Sequence, residues 1–165
     1  LELGARQGDA DAAVSLGIMA ETGRGAAQDF QRAARLYQIA ADAGNAQGQA
    51  LLGKLYANGD GVEQDTEKAV FWLTKAAESG YVEAQRKLAS VYTGLRPDAA
   101  QAYAWLVIAL SSLFPQASDL VAVSPDLERL MRSMTPEEIE NGQALAVKLA
   151  EKIKTAKRKD AAASE

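Results

Sequence analysis

The sequence predicts an all-α fold assembled from paired helices that repeat along the chain. Three observations carry that prediction. Alanine and leucine, strong helix formers, dominate an apolar fraction of 48%, while β-branched residues are sparse. Apolar residues fall at spacings of three and four, which sets them on one face of a helix. Small and aromatic residues also recur every 36 residues: Gly8, Gly44 and Gly80; Leu16, Leu52 and Leu88; Gly17 and Gly53, with Ala89 next in line. Ala12, Gly48 and Ala84 keep that interval, as do Ala33 with Ala69, Leu36 with Trp72, and Ala40-Ala41 with Ala76-Ala77.

The opening LELGARQGD carries no initiator methionine, so a processed or trimmed chain is expected. Residues 8–43, 44–79 and 80–112 form the three copies. In the second, the stretch 46–57 carries Leu52, Leu55 and Tyr56, and the stretch 66–79 carries Ala69, Trp72, Leu73, Ala76 and Ala77. Gly53, Ala69 and Ala76 are small enough to let two helices cross closely. The third copy is three residues shorter in its loop, after which Asp98, Ala102, Trp105 and Ala109 align with Asp65, Ala69, Trp72 and Ala76. Repeat-equivalent placement assigns Trp72 and Trp105 to the core.

The loop NGDGVEQD at 58–65 has the composition of an ion site. One period earlier the chain reads TGRGAAQD, where Thr22, Arg24 and Ala27 replace Asn58, Asp60 and Glu63. A calcium loop keeps its oxygen ligands, and a phosphate loop opens directly into a helix with a lysine. Both copies retain only Gly23 and Gly25, or Gly59 and Gly61, followed by Asp29 or Asp65. The glycines then supply positive φ for a chain reversal, and Asp29, Asp65 and Asp98 cap the helices that follow.

Beyond the repeats, Ser124-Pro125-Asp126-Leu127 reads as an N-cap with a first-turn proline, opening a helix to about Ser133. Thr135-Pro136-Glu137-Glu138 reads as a capping box for a helix carrying Ile139, Leu145, Leu149 and Ile153. Residues 113–155 thus form a capping helix pair, and residues 156–165 a flexible tail. The apolar junction from Phe114 to Val123 is either buried under this cap or a second interaction surface.

Composition excludes several functions. The formal net charge of −4 argues against general nucleic-acid binding. No apolar run reaches the length of a membrane span. The chain has no cysteine and no histidine, which removes disulfides, thiolate metal sites and histidine-based catalysis. No catalytic, cofactor-binding or metal-ligating residue is therefore assigned. Asp60 and Glu63 are carboxylates suited to acid–base work, but nothing pairs them in the other repeats.

Leu52-Gly53, Tyr56, Gly59-Asp60-Gly61-Val62, Asp65, Ala69, Trp72, Ala76-Ala77 and Gly80 together resemble the Sel1-like repeat family. The first copy departs from that pattern at Ala20, Ala26 and Leu36, and the third at Ala89 and in its loop. Residues 1–7 resemble the end of a preceding repeat's second helix, and the segment around Met134-Thr135-Pro136-Glu137 resembles the one that closes several bacterial arrays. The resemblance implies a tetratricopeptide-like α-solenoid, an α/α superhelix whose first helices line a concave face.

With the Leu-Gly pair as register, the groove-facing positions are Asp11, Val14, Ile18 and Glu21 in the first repeat. They are Gln47, Ala50, Lys54 and Asn58 in the second, and Glu83, Arg86, Ser90 and Thr93 in the third. Val14 and Ile18 read either as an exposed apolar anchor or as packing for a preceding segment. Lys54 and Arg86 read either as selectors of acidic partners or as solvated charges. The run Lys152, Lys154, Lys157, Arg158 and Lys159 either draws an anionic surface or keeps a tail soluble.

The family resemblance implies a non-catalytic scaffold or adaptor that holds a protein or peptide in its groove. Its settings are bacterial signalling, secretion and complex assembly, with the periplasm or envelope favoured over the cytoplasm. A structural subunit of a larger assembly is the alternative, with oligomeric state left open. A hydrolytic role like that of β-lactam-linked Sel1-like proteins ranks lower, since those resemble cysteine-rich repeats.

Overall fold

Most helices begin where the sequence supplies an oxygen acceptor for their first free amides. The structure, a computed structural model, describes residues 9–163, apart from the side chains of Val123, Asp160 and Ala163. Asp9 accepts from the Ala12 N–H at 2.9 Å to open α1 (Ala10–Thr22), and Asp29 accepts from Arg32 at 2.8 Å to open α2 (Phe30–Asp42). Asn45 caps α3 (Ala46–Asn58) through Gly48 N, and Asp65 accepts from Lys68 N at 2.9 Å in α4 (Thr66–Glu78). Tyr81 precedes α5 (Val82–Thr93) without a side-chain cap, and Asp98 accepts from Gln101 N at 3.0 Å in α6 (Ala99–Leu113). The short α7 (Leu120–Val123) leads to α8 (Pro125–Ser133), capped by Ser124, and then to α9 (Pro136–Ala163). Thr135 and Glu138 cap α9 reciprocally, each side chain accepting the other's backbone N–H. Among the described residues the fold is all-α.

The three aspartates expected as caps are therefore caps. The Asp65 carboxyl is held below its ordinary range chiefly by the Lys68 backbone N–H that it accepts. Its contribution is complete above the ordinary carboxylate range and is lost as the pH falls through the lowered value. Replacing Asp98 with alanine should cost about 1 kcal/mol in urea unfolding, while Asp98→Asn should retain nearly all of the stability.

The glycine loops reverse the chain. Gly23, Gly25, Gly59 and Gly61 all have positive φ, between 68° and 83°. The Gln28 amide donates to the Glu21 carbonyl at 2.7 Å, and its equivalent Gln64 donates to Ala57 at 2.8 Å. Asp29 N and Asp65 N close the same loops onto the Ala20 and Tyr56 carbonyls. Side chains tie each loop to the helix it leaves, and among the described residues Asp60 accepts from its neighbour Asn58 alone, at 2.9 Å.

The chain divides into two compact units, residues 1–76 and 77–165. In the first, α2 packs between α1 and α3. Tyr37, Leu52 and Leu55 are essentially buried beside Ala33, Ala34 and Ala41, with Phe30, Tyr56, Val62 and Trp72 packed against them. Close approach depends on missing methyl groups: a Cβ on Gly53 would lie 2.7 Å from Leu73 Cγ, and one on Gly48 would strike Ala40. The proposed preceding helix at residues 1–7 lies outside the described residues.

In the second unit α6 packs against both α5 and α9. Leu88, Ala84, Ala102 and Ala109 are fully buried, and Tyr103, Leu110, Leu127 and Met134 form a core that α7, α8 and Ile139 cover. Trp105 is buried, as its repeat position predicts. Trp72 is only half-buried, against the same expectation. The Phe114 junction is also divided: Leu120 and Val121 join the core, while Phe114 is 43% exposed and does not lie under the cap.

Helix α9 continues to Ala163, through the segment expected to fray from residue 156. Lys152 pairs with Glu78 at 2.6 Å, and the Lys157 stem lies over Gly80, where a Cβ would collide with it. The basic run that reads as a soluble tail is partly a docking element. A missing methyl group 77 residues away makes room for it.

Candidate partner-binding surface

Two of the eight groove positions expected in the first unit are buried. Val14 is 4% exposed and clusters with Ala13, Leu16 and Ala40, and Ala50 is 6% exposed. Val14 is thus no exposed anchor, because the residues around it, Leu36 and Leu51 included, cover that side of α1. Ile18 is half-buried and packs against both apolar clusters of this unit. Asp11 is exposed and accepts from the Asn45 amide at 2.9 Å, while Gln47 and Asn58 are exposed.

Glu21 and Lys54 neutralise each other. The Lys54 ammonium pairs with Glu21 Oε1, and the Tyr37 hydroxyl donates to Glu21 Oε2 at 2.7 Å. Glu21 is mostly shielded from solvent, so this ion pair is better protected than a surface one. Burial first, and the Glu21 carboxylate second, raise the Tyr37 phenol far above its ordinary value. Its O–H therefore stays a donor throughout the neutral range. Lys54 is neither a solvated charge nor a free selector of acidic partners.

The four third-repeat positions come together in a groove of about 540 Å³ within the second unit. Glu83, Arg86, Ser90 and Thr93 line it from α5, with Lys87 beside them. Asp126, Arg129, Leu130 and Ser133 line it from α8, and Leu106 of α6 adds apolar surface. Arg86 meets Glu83 at 3.5 Å and Arg129 meets Asp126 at 3.6 Å, both exposed pairs within one helix. Such pairs are weak and leave the guanidinium groups able to turn toward a ligand. Lys87 has no carboxylate partner among the described residues. Three cations stand against two carboxylates along its lining. Thr93 instead donates its hydroxyl to the Ala89 carbonyl at 2.7 Å.

Sequence reasoning missed the α8 wall. The only signal was that α8 alternates apolar Leu127 and Leu130 with charge, and helical spacing cannot say which neighbour that face meets. It also missed Phe71, which is 52% exposed and stands edge-on to Trp72 with ring centroids 5.0 Å apart. The Lys75 ammonium lies 4.6 and 5.1 Å from those two rings, a cation–π arrangement. Glu63 lines a small cavity of about 380 Å³ with Tyr56, Asp65 and Lys68. Among the described residues no group of three or more His, Cys, Asp or Glu is placed to hold a metal. None of the described helices is long and apolar enough to cross a membrane.

Paired helices joined by glycine turns and repeated in register define an α/α repeat protein. The sequence model of the Sel1 repeat matches residues 10–45, 46–81 and 82–111, and the chain belongs to the Sel1 repeat family. Among solved structures it is similar to a protective antigen of uropathogenic Escherichia coli displaying an SLR fold, at 28% identity and a TM-score of 0.74. That match covers 93% of this chain and 33% of the antigen. It is also similar to a Sel1 repeat protein from Oxalobacter formigenes, at 28% identity and a TM-score of 0.58, covering 87% of this chain and 60% of that one. The chain thus spans a third of one relative and three-fifths of the other. No match was found among curated proteins.

Proposed function

We propose that the chain is a non-catalytic interaction scaffold that holds an acidic segment of a partner protein against its third-repeat face. The observation that carries this reading is the groove between α5 and α8, where Arg86, Lys87 and Arg129 surround apolar surface from Leu106 and Leu130. Such a site gives an acidic peptide an apolar seat and a charge-matched rim. Within the first unit, Asp11, Gln47 and Asn58 are exposed polar positions. Two bacterial relatives and the family resemblance support a bacterial adaptor in signalling or complex assembly, with the envelope as its favoured setting.

The test is crosslinking in native cells, followed by titration of the purified partner against the wild type and an Arg86→Glu/Arg129→Glu variant. The variant should bind about tenfold more weakly, mainly through a slower on-rate that is sensitive to salt. Unchanged affinity would remove the groove from the interaction. Lys54 is a poor choice for this purpose, because reversing it sets two carboxylates together beside Tyr37.

A further inference from the structure

The seam between α6 and α9 is a second candidate site, unrelated to the α5–α8 groove. It is an elongated cavity of about 450 Å³. Val107 and Ile108 form one wall, and Ala146, Val147 and Ala150 the other. Ser111 and Ser112 also border it, but their hydroxyls donate to the Val107 and Ile108 carbonyls of their own helix at 2.8 and 3.1 Å. The walls are therefore apolar in effect. Val147 is 66% exposed, the most exposed of the large apolar residues described. At about 1.5 Å per residue, the stretch from Ala146 to Lys157 gives the seam a length of roughly 16 Å, or three helical turns.

One end of the seam is cationic. Lys154 and Lys157 line it, and neither has a carboxylate partner among the described residues. Lys152, two residues before Lys154, is paired with Glu78. Gln85 of α5 also lines the seam and is 1% exposed. Its amide nitrogen donates to the Ala77 carbonyl at 3.1 Å, as its repeat equivalent Gln49 does to Ala41. Its Oε1 is buried and has no donor among the described residues. A buried acceptor left without a partner is uncommon in folded proteins and calls for one.

An occupant has three requirements to meet: apolar side chains for the ridge, a carboxylate for the lysines and an N–H or O–H donor for Gln85. An ionised acyl chain meets the first two and lacks the donor. A phosphate or nucleotide lacks the apolar body. A polypeptide segment with paired apolar residues and an acidic flank meets all three. The geometry points to the α6–α9 seam as a docking site for an acidic amphipathic segment of a partner protein.

The test is selection of random displayed peptides on the full chain, with counter-selection on a Val147→Arg/Ala150→Arg variant. Both replaced side chains are exposed, so this variant should keep its helical circular dichroism and melting temperature. Selected peptides should pair apolar residues with flanking Asp or Glu. Their affinity should fall by about tenfold on Lys154→Glu. Lys154 is preferred to Lys157, whose stem also covers Gly80. The Arg86→Glu/Arg129→Glu variant should bind these peptides unchanged, which separates this site from the groove. Peptides without acidic bias, or failure to enrich any peptide under counter-selection on the Val147→Arg/Ala150→Arg variant, would overturn the proposal. So would self-association in sedimentation velocity that the same variant abolishes, since the occupant would then be a second copy of the chain.

Discussion

Gly61→Ala should lower stability by about 2–5 kcal/mol, read as a shift of the urea midpoint with little change in slope. Two independent effects add at this residue. Its φ of +68° is a conformation in which an L-residue's Cβ crowds its own carbonyl. The added carbon would also press into the backbone of the preceding repeat, against the Phe30 carbonyl carbon and 2.6 Å from Gln31 N. Backbone at the start of α2 cannot turn aside as a side-chain tip can. The control is Gly25→Ala, one repeat earlier. Gly25 has a φ of +83°, but its Cβ would meet only Met19 Cε, at 4.0 Å. That variant should cost only the conformational penalty, about 1–2 kcal/mol. Equal losses at the two positions would show that Gly61 serves only to turn the chain.

The same pair marks how far the sequence can be read. Gly25 and Gly61 occupy equivalent places in TGRGAAQD and NGDGVEQD, and the need for positive φ is evident from either. Their different surroundings are not, because contact across repeats depends on what precedes each copy. The helix caps were legible for the opposite reason: Asp29, Asp65 and Asp98 act on amides three residues away, a strictly local geometry. The candidate site was legible in part. Helical spacing placed Glu83, Arg86 and Ser90 on one exposed face. It also placed Val14 and Ala50 on the corresponding faces of α1 and α3, where neighbouring helices bury them. Spacing fixes the direction in which a side chain leaves its helix, and the neighbours decide whether solvent is there. The charge of Lys54 was equally visible, but its partner is 33 residues away in Glu21. Helix α9 shows this limit most plainly. KTAKRKDAAASE has the composition of a solvated end, and its helical run becomes intelligible only once Glu78 and Gly80 are seen beside it.

Tyr37→Ala should be the most damaging single truncation in the first unit, at about 3–5 kcal/mol. The side chain is fully buried among Leu52, Leu55 and the alanines of α2. Its removal leaves a cavity and takes away the hydroxyl that donates to Glu21. Tyr37→Phe isolates the second effect and should cost about 1.5–3 kcal/mol, the range for a hydrogen bond to a charged group. The sign of its pH dependence follows from the raised phenol value. A group whose folded pKa lies above its unfolded one gives its full stabilisation below the unfolded value and loses it as the pH rises through the folded value. The gap between wild type and Tyr37→Phe should therefore stay constant through neutral pH and on toward 10.0, the ordinary tyrosine value. A gap that closes by pH 8 would mean that the phenol is not held as described. The ring's seat supplies a further check. A Cβ on Gly17 would lie 2.7 Å from Tyr37 Cδ1, so Gly17→Ala alone overpacks the site and should cost about 1–3 kcal/mol. In the double variant the added methyl enters the space that the ring has left. Its loss should fall short of the sum of the single losses by about 1 kcal/mol or more. Additive losses would place the Tyr37 ring somewhere other than over Gly17.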